Sequence, residues 1–199
     1  MGRSGISMGW EVAGGREYRG LEQVTRCDFA AFLYRMADLA DDGARNDSIA
    51  LSEAEVAEVL EGVKDCTPKT DHAAEIAWLI STGISRGWQN SDGTLSFRPY
   101  AKVARQDMAA FLYRFADLQD DKMQNQSPEP GPESVTFSDV RHGDDANHAS
   151  EVEWLASVGV TKGWAMPNGT YQFRGTNIVA RQDMAAFMYR LYTYLRQQG

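Results

Sequence analysis

Apolar residues recur at helical spacing in three stretches of the chain. Phe29, Phe32, Leu33 and Met36 fall at positions i, i+3, i+4 and i+7, as do Met108, Phe111, Leu112 and Phe115, and again Met184, Phe187, Met188 and Leu191. That spacing gathers each set on one face of a helix. Each stretch also carries paired alanines (Ala30-Ala31, Ala109-Ala110, Ala185-Ala186), small enough to let backbones approach closely. Two shorter helices are predicted over about residues 72–82 and 148–158, the first with Ile76, Leu79 and Ile80 on one face. Asp71 and Asn147 are the expected N-caps, and Gly83 and Gly159 the terminators. Ser52-Glu53-Ala54-Glu55 reads as a capping box opening a further helix through about Glu61.

These elements belong to a repeat. Gly5-Ile6-Ser7-Met8-Gly9-Trp10 returns as Gly83 to Trp88 and as Gly159 to Trp164. Tyr18-Arg19-Gly20 matches Phe97-Arg98-Pro99 and Phe173-Arg174-Gly175, and seven residues after each of those arginines comes another: Arg26, Arg105 and Arg181. Spacings of 79 and 76 residues separate the three. An upstream half, His72 to Leu79 and His148 to Leu155, occurs twice only, so the chain is expected to begin in the middle of a repeat and to be a piece of a larger protein. The expected organisation is a half repeat over 1–40, a connector with a short helix over 41–62, a repeat over 63–118, a linker over 119–134 and a repeat over 135–199. The expected fold is mainly all-α, with three pseudo-symmetric helix-loop-helix repeats around a central three-helix bundle.

Charge narrows the partners. Lys and Arg number 20 against 28 Asp and Glu, a net charge of −8, which argues against a nucleic-acid partner. No apolar run reaches the ~18 residues of a membrane span. No apolar leader follows Met1-Gly2-Arg3-Ser4. No nucleophile motif, phosphate loop or paired-carboxylate signature is found, so the chain is read as non-catalytic and free of cofactors. His142, Asp144, Asp145 and His148 match no strong metal-ligand spacing.

The repeated arginines are the most informative positions. Each of Arg26, Arg105 and Arg181 falls in the first turn of a predicted helix, where a cation disfavours the helix by ~0.5 kcal/mol. Either they serve an anion site together with the free N–H groups of the helix start, or they pair with acidic neighbours and lock repeats together. Asp28, Asp107 and Asp183 suit helix caps better than ligands. Arg19, Arg98 and Arg174 either line the same groove or pack their stems on the preceding aromatic ring. Trp10, Trp88 and Trp164, each following a glycine in a loop, are either sugar platforms or core plugs; Trp78 and Trp154 read as core, and His72 and His148 as structural hydrogen-bonders. Cys27 and Cys66 both depart from the repeat, since Cys27 stands where the other copies have Gln106 and Gln182, and Cys66 where the third has Val140. They form a candidate disulfide; closing a ~40-residue loop would contribute about 3–4 kcal/mol in an extracellular setting.

Phe137-Ser138-Asp139-Val140, Gly83 to Trp88, Phe97-Arg98-Pro99 and Val24-Thr25-Arg26-Cys27-Asp28, in repeat order, resemble S-layer homology repeats over nearly the whole chain. The resemblance implies a three-repeat module that anchors a secreted or surface protein to a cell-wall polysaccharide or peptidoglycan-linked glycan. It gives Arg26, Arg105 and Arg181 the role of gripping the carboxylate of a pyruvylated sugar. It also places Gly87 with Trp88, Gly163 with Trp164, and the repeat-opening Asp65 and Asp139 at the groove. Ala104 and Ala180 depart from the family's threonine, which Thr25 keeps. The rival expectation is a scaffold that self-associates without binding glycan.

Overall fold

The structure, a computed structural model, describes residues 6, 9–39, 49–119, 135–143 and 147–198. Residues 41–48 of the expected connector and 120–134 of the expected linker, together with Gly5, Met8, Asp144 and Asp145, lie outside the described residues. The described chain is mainly helical, with six helices and three two-stranded antiparallel sheets. It divides into two compact units, residues 1–102 and 103–199.

In the first unit, strands β1 (Trp10–Val12) and β2 (Gly15–Glu17) form a hairpin that leads to helix α1 (Arg26–Ala37). Helix α2 (Glu53–Glu61), helix α3 (Ala73–Ser81) and a hairpin of β3 (Trp88–Gln89) and β4 (Leu95–Ser96) follow. The expected capping box is present: Glu55 N–H donates to Ser52 Oγ at 3.3 Å and Ser52 N–H to Glu55 Oε2 at 2.8 Å. Helix α1 packs on α3, burying Phe29, Phe32, Leu33 and Met36 together with Ile76, Ala77 and Leu79. Tyr34 meets the buried Trp78 edge-on at 5.5 Å.

The second unit has a helix pair and a hairpin of its own. It consists of α4 (Arg105–Gln119), α5 (Ala149–Ser157), the hairpin of β5 (Trp164–Ala165) and β6 (Tyr171–Gln172), and α6 (Arg181–Gln198). Helix α4 packs on α5, and Tyr113 meets Trp154 edge-on at 5.2 Å.

Three features differ from the sequence reading. The boundary after Lys102 cuts the second sequence repeat, because the helix closing one repeat packs on the helix opening the next (α1 on α3, α4 on α5). The N-caps of α3 and α5 are His72 and His148 rather than Asp71 and Asn147; both are left-handed (φ 60° and 56°) and make no capping bond. The tryptophans expected in loops open β-hairpins, with Trp10 opposite Glu17, Trp88 opposite Ser96 and Trp164 opposite Gln172.

Candidate functional site

The hairpins and the helix starts meet within each unit. Arg26 begins α1 and lies against the β3–β4 hairpin, donating from Nε to Phe97 O at 2.7 Å. Arg105 begins α4 and donates from Nε to Phe173 O at 2.9 Å. Both side chains are buried, each residue only 4% exposed, and Arg181 is 6% exposed at the start of α6.

Aromatic rings surround the buried guanidinium groups. Arg26 lies 4.4 Å from the Trp88 ring and 4.8 Å from Phe97; Arg105 lies 4.2 Å from Trp164, 4.7 Å from Phe173 and 4.9 Å from Phe187. No carboxylate among the described residues stands within 4 Å of Arg105. Desolvation pushes its pKa down to about 10, against the more distant pull of Asp183 and Asp139, so it stays charged at neutral pH. A buried cation survives here because ring quadrupoles and a carbonyl dipole stand in for water.

The starts of α1 and α4 are not open anion sites. Arg26 N–H donates to Ala101 O and Cys27 N–H to Pro99 O, both at 2.9 Å. Arg105 N–H donates to Asn177 O and Gln106 N–H to Gly175 O, also at 2.9 Å. The N–H groups expected to hold a ligand are taken up by the loop of the following repeat. At α1, Thr25 Oγ1 also accepts from Asp28 N–H at 3.3 Å and donates to Asp28 Oδ2 at 2.6 Å, so Asp28 belongs to the cap.

An outer arginine covers each hairpin tryptophan. Arg98 stacks at 4.1 Å on Trp88, Arg174 at 4.9 Å on Trp164, and Arg19 at 4.8 Å on Trp10. Trp88 therefore touches Arg26 and Arg98, and Trp164 touches Arg105 and Arg174. Of the two roles left open by the sequence, sugar platform or core plug, the half-buried tryptophans take neither outright: each supports a guanidinium group. All three outer arginines adopt left-handed backbone (φ 52–58°), which costs a non-glycine residue roughly 1 kcal/mol or more.

Asp65 and Asp139 hold that conformation. Asp65 accepts from Phe97 N–H at 2.8 Å and Arg98 N–H at 2.7 Å; Asp139 accepts from Phe173 N–H and Arg174 N–H, both at 2.7 Å. The carboxylates expected as glycan ligands are thus committed to the backbone. Gly87 and Gly163 serve close approach. Both have positive φ, and a Cβ would meet Ser96 O at 3.0 Å in one case and Gln172 O at 2.5 Å in the other.

In place of the expected Cys27–Cys66 bridge, the structure has two free, buried thiols. Cys27 Sγ lies 3.2 Å from Thr25 Oγ1 and Cys66 Sγ 3.8 Å from Asp65 Oδ1. Burial raises Cys27, and burial with the Asp65 carboxylate raises Cys66 to about 12, so neither is a ready thiolate.

The histidines are paired by the fold. His72 Nδ1 lies 3.4 Å from Glu75 Oε1 and Nε2 3.8 Å from Asp28 Oδ1; His148 makes the matching pairs with Glu151 (3.4 Å) and Asp107 (4.0 Å). The Glu75 hydrogen bond raises His72 above its ordinary value, and the His148 hydrogen bond holds Glu151 below its own. His142 Nδ1 lies 2.9 Å from Glu153 Oε2. Among the described residues no group of three metal-ligating side chains gathers.

Sequence reasoning missed the left-handed residues, the hairpins and the use of the helix-start N–H groups. The repeated aromatic-Arg pair was the one signal for the stacks. With this geometry established, comparison with known proteins adds nothing further: no protein-family model matches the chain, and no curated protein matches it.

Proposed function

We propose that the chain is a non-catalytic wall-binding module that anchors a secreted or cell-surface protein to an acidic cell-wall polysaccharide. In this reading the three arginine-led helices α1, α4 and α6, with their apolar stripes, surround a shared axis as the centre of three repeats. The observation that carries the reading is the repeated stack of guanidinium groups on a hairpin tryptophan, with the outer Arg98 and Arg174 lacking a carboxylate within 4 Å among the described residues. Cations left without an internal counter-ion suit an external anion, and the planar guanidinium fork grips a carboxylate through two parallel hydrogen bonds. The order of motifs that resembles S-layer homology repeats supports a glycan as the bearer of that anion.

The test is co-sedimentation of the intact chain with purified bacterial cell walls, before and after the acidic polysaccharide is stripped from them. Retention by native walls and loss on stripped walls are expected; equal recovery in both supernatants overturns the reading.

A second reading, a self-assembling scaffold, draws on Arg26 and Arg105, whose Nε atoms and helix-start N–H groups all bind carbonyls of the following repeat. Light scattering across protein concentration separates the two. Association that rises without glycan favours the scaffold.

A further inference from the structure

We infer that the anion is received by the outer arginines Arg98 and Arg174, and that the residue opposite each hairpin tryptophan decides whether its hairpin can bind. The inference rests on the wall-binding reading and moves its site from the buried arginines to the hairpin mouths. The buried ones cannot meet a polymer without unpacking, since Arg105 is 4% exposed and boxed by three rings. Arg98 is exposed and Arg174 half-buried, each lying on a tryptophan that orients it.

The three hairpins differ at one position. Glu17, opposite Trp10, accepts from Arg19 Nε at 3.0 Å, and Glu22 adds a second carboxylate 3.8 Å from Arg19 Nη1. Ser96, opposite Trp88, hydrogen-bonds Asn90 and leaves Arg98 without a side-chain acceptor among the described residues. Gln172, opposite Trp164, offers Arg174 Nε only a neutral oxygen at 3.3 Å, and Arg174 Nη2 lies 3.6 Å from Met166 Sδ. The first hairpin supplies its arginine with a carboxylate; among the described residues the other two supply theirs with none within 4 Å.

The surrounding charges point the same way. Two residues before Trp88 stands Arg86, and two before Trp164 stands Lys162, both exposed and without an ion pair among the described residues. The acidic residue of the β3–β4 turn, Asp92, accepts from the Thr94 hydroxyl and is paired with Lys64 at 3.1 Å, and these bonds, Thr94's first, lower its pKa to about 2. In the β5–β6 hairpin Asn168 and Ser138 stand in the places of Asp92 and Lys64, so that pair is absent as a whole. Each of the two mouths therefore presents an oriented guanidinium and a second cation on a chain whose net charge is −8. Such localised charge suits carboxylates spaced along a polysaccharide better than the continuous charge of a nucleic acid.

The test uses oligogalacturonate as a carboxylated glycan probe, maltohexaose as a neutral control and polyglutamate as a carboxylated control without sugar. Binding is followed by tryptophan fluorescence and calorimetry. The wild-type chain is expected to bind two oligogalacturonates, weakening as salt rises, with at least tenfold poorer affinity for maltohexaose and polyglutamate. Ser96→Glu and Gln172→Glu, which copy Glu17, should each remove one site at unchanged melting temperature; Arg98→Lys and Arg174→Lys should weaken binding about tenfold while keeping charge. Equal binding of polyglutamate overturns the assignment to a glycan. Wall retention that persists in the folded Ser96→Glu/Gln172→Glu double variant overturns the assignment to the outer arginines and leaves wall binding standing. Absence of binding to both walls and probe by the wild-type chain removes both.

Discussion

The β1–β2 hairpin and the two later hairpins share a tryptophan, a stacked arginine and a left-handed backbone at that arginine, yet their electrostatics differ. In the first, Arg19 is closed off by Glu17 and Glu22; in the others, Arg98 and Arg174 meet a serine and a glutamine environment. A common scaffold is therefore separable from a variable charge state. The stack on tryptophan builds the hairpin, while the residue opposite the tryptophan sets what the hairpin can attract. Inner and outer arginines divide in the same way: Arg26 and Arg105 are structural cations inside the fold, and Arg98 and Arg174 face outward.

The largest expected effect tests the inner half of that division. Arg105→Ala removes a buried guanidinium from three aromatic rings and from Phe173 O, and leaves a cavity between α4 and the β5–β6 hairpin. Loss of packing, cation–π attraction and a charged hydrogen bond sum to a destabilisation on the order of 3 kcal/mol. Urea unfolding followed by circular dichroism measures it. Arg19→Ala, at an exposed hairpin with surface ion pairs, should cost less than ~1 kcal/mol by the same measurement. Equal costs would abolish the distinction between buried strut and exposed stack.

Next in size is the carboxylate that holds the outer arginine. Asp139→Asn keeps one acceptor but turns an NH2 toward the second of two backbone N–H donors, those of Phe173 and Arg174. A cost of about 2 kcal/mol is expected, because charge-assisted bonds are lost and a donor is left facing a donor. Asp65→Asn should behave alike at Phe97 and Arg98. Hydrogen exchange of those four amides, accelerated in the matching hairpin only, distinguishes a local clamp from a global weakening.

The helices were legible from sequence because their signals are local. Phe29, Phe32, Leu33 and Met36 and their counterparts carry the helical period in one window, and Ser52 with Glu55 is a complete capping box within four residues. The hairpins were not, since strands of two or three residues are too short to show alternation. The left-handed Arg98 was hidden for another reason: nothing in an arginine side chain favours that backbone, which is held by Asp65, 33 positions away. The candidate site was half legible. The repeated arginines and tryptophans stood out, but the fate of the helix-start N–H groups depended on carbonyls about 70 residues away in sequence, at Pro99 and Ala101 or Gly175 and Asn177. The cysteine pair misled because two departures from a repeat are also produced by two separate buried thiols.

The smallest expected change in stability carries the sharpest test of the comparison. Glu17→Gln puts into the first hairpin the residue type that the third has opposite its tryptophan, Gln172. The ion pair it breaks is exposed, at 37% for Arg19 and 55% for Glu17, so water and salt already screen it. Its removal should shift unfolding by less than ~1 kcal/mol. Arg19 keeps its stack on Trp10 at 4.8 Å, and Glu22 remains a weaker competitor at 3.8 Å. The double variant Glu17→Gln/Glu22→Gln should therefore raise the number of oligogalacturonate sites from two to three, counted by calorimetric stoichiometry. A count that stays at two would mean that Met8, standing where the other copies have Arg86 and Lys162, withholds a cation the site requires. Adding Met8→Arg to the double variant would then restore the third site; a count still fixed at two after that substitution would show that the hairpins differ by more than charge.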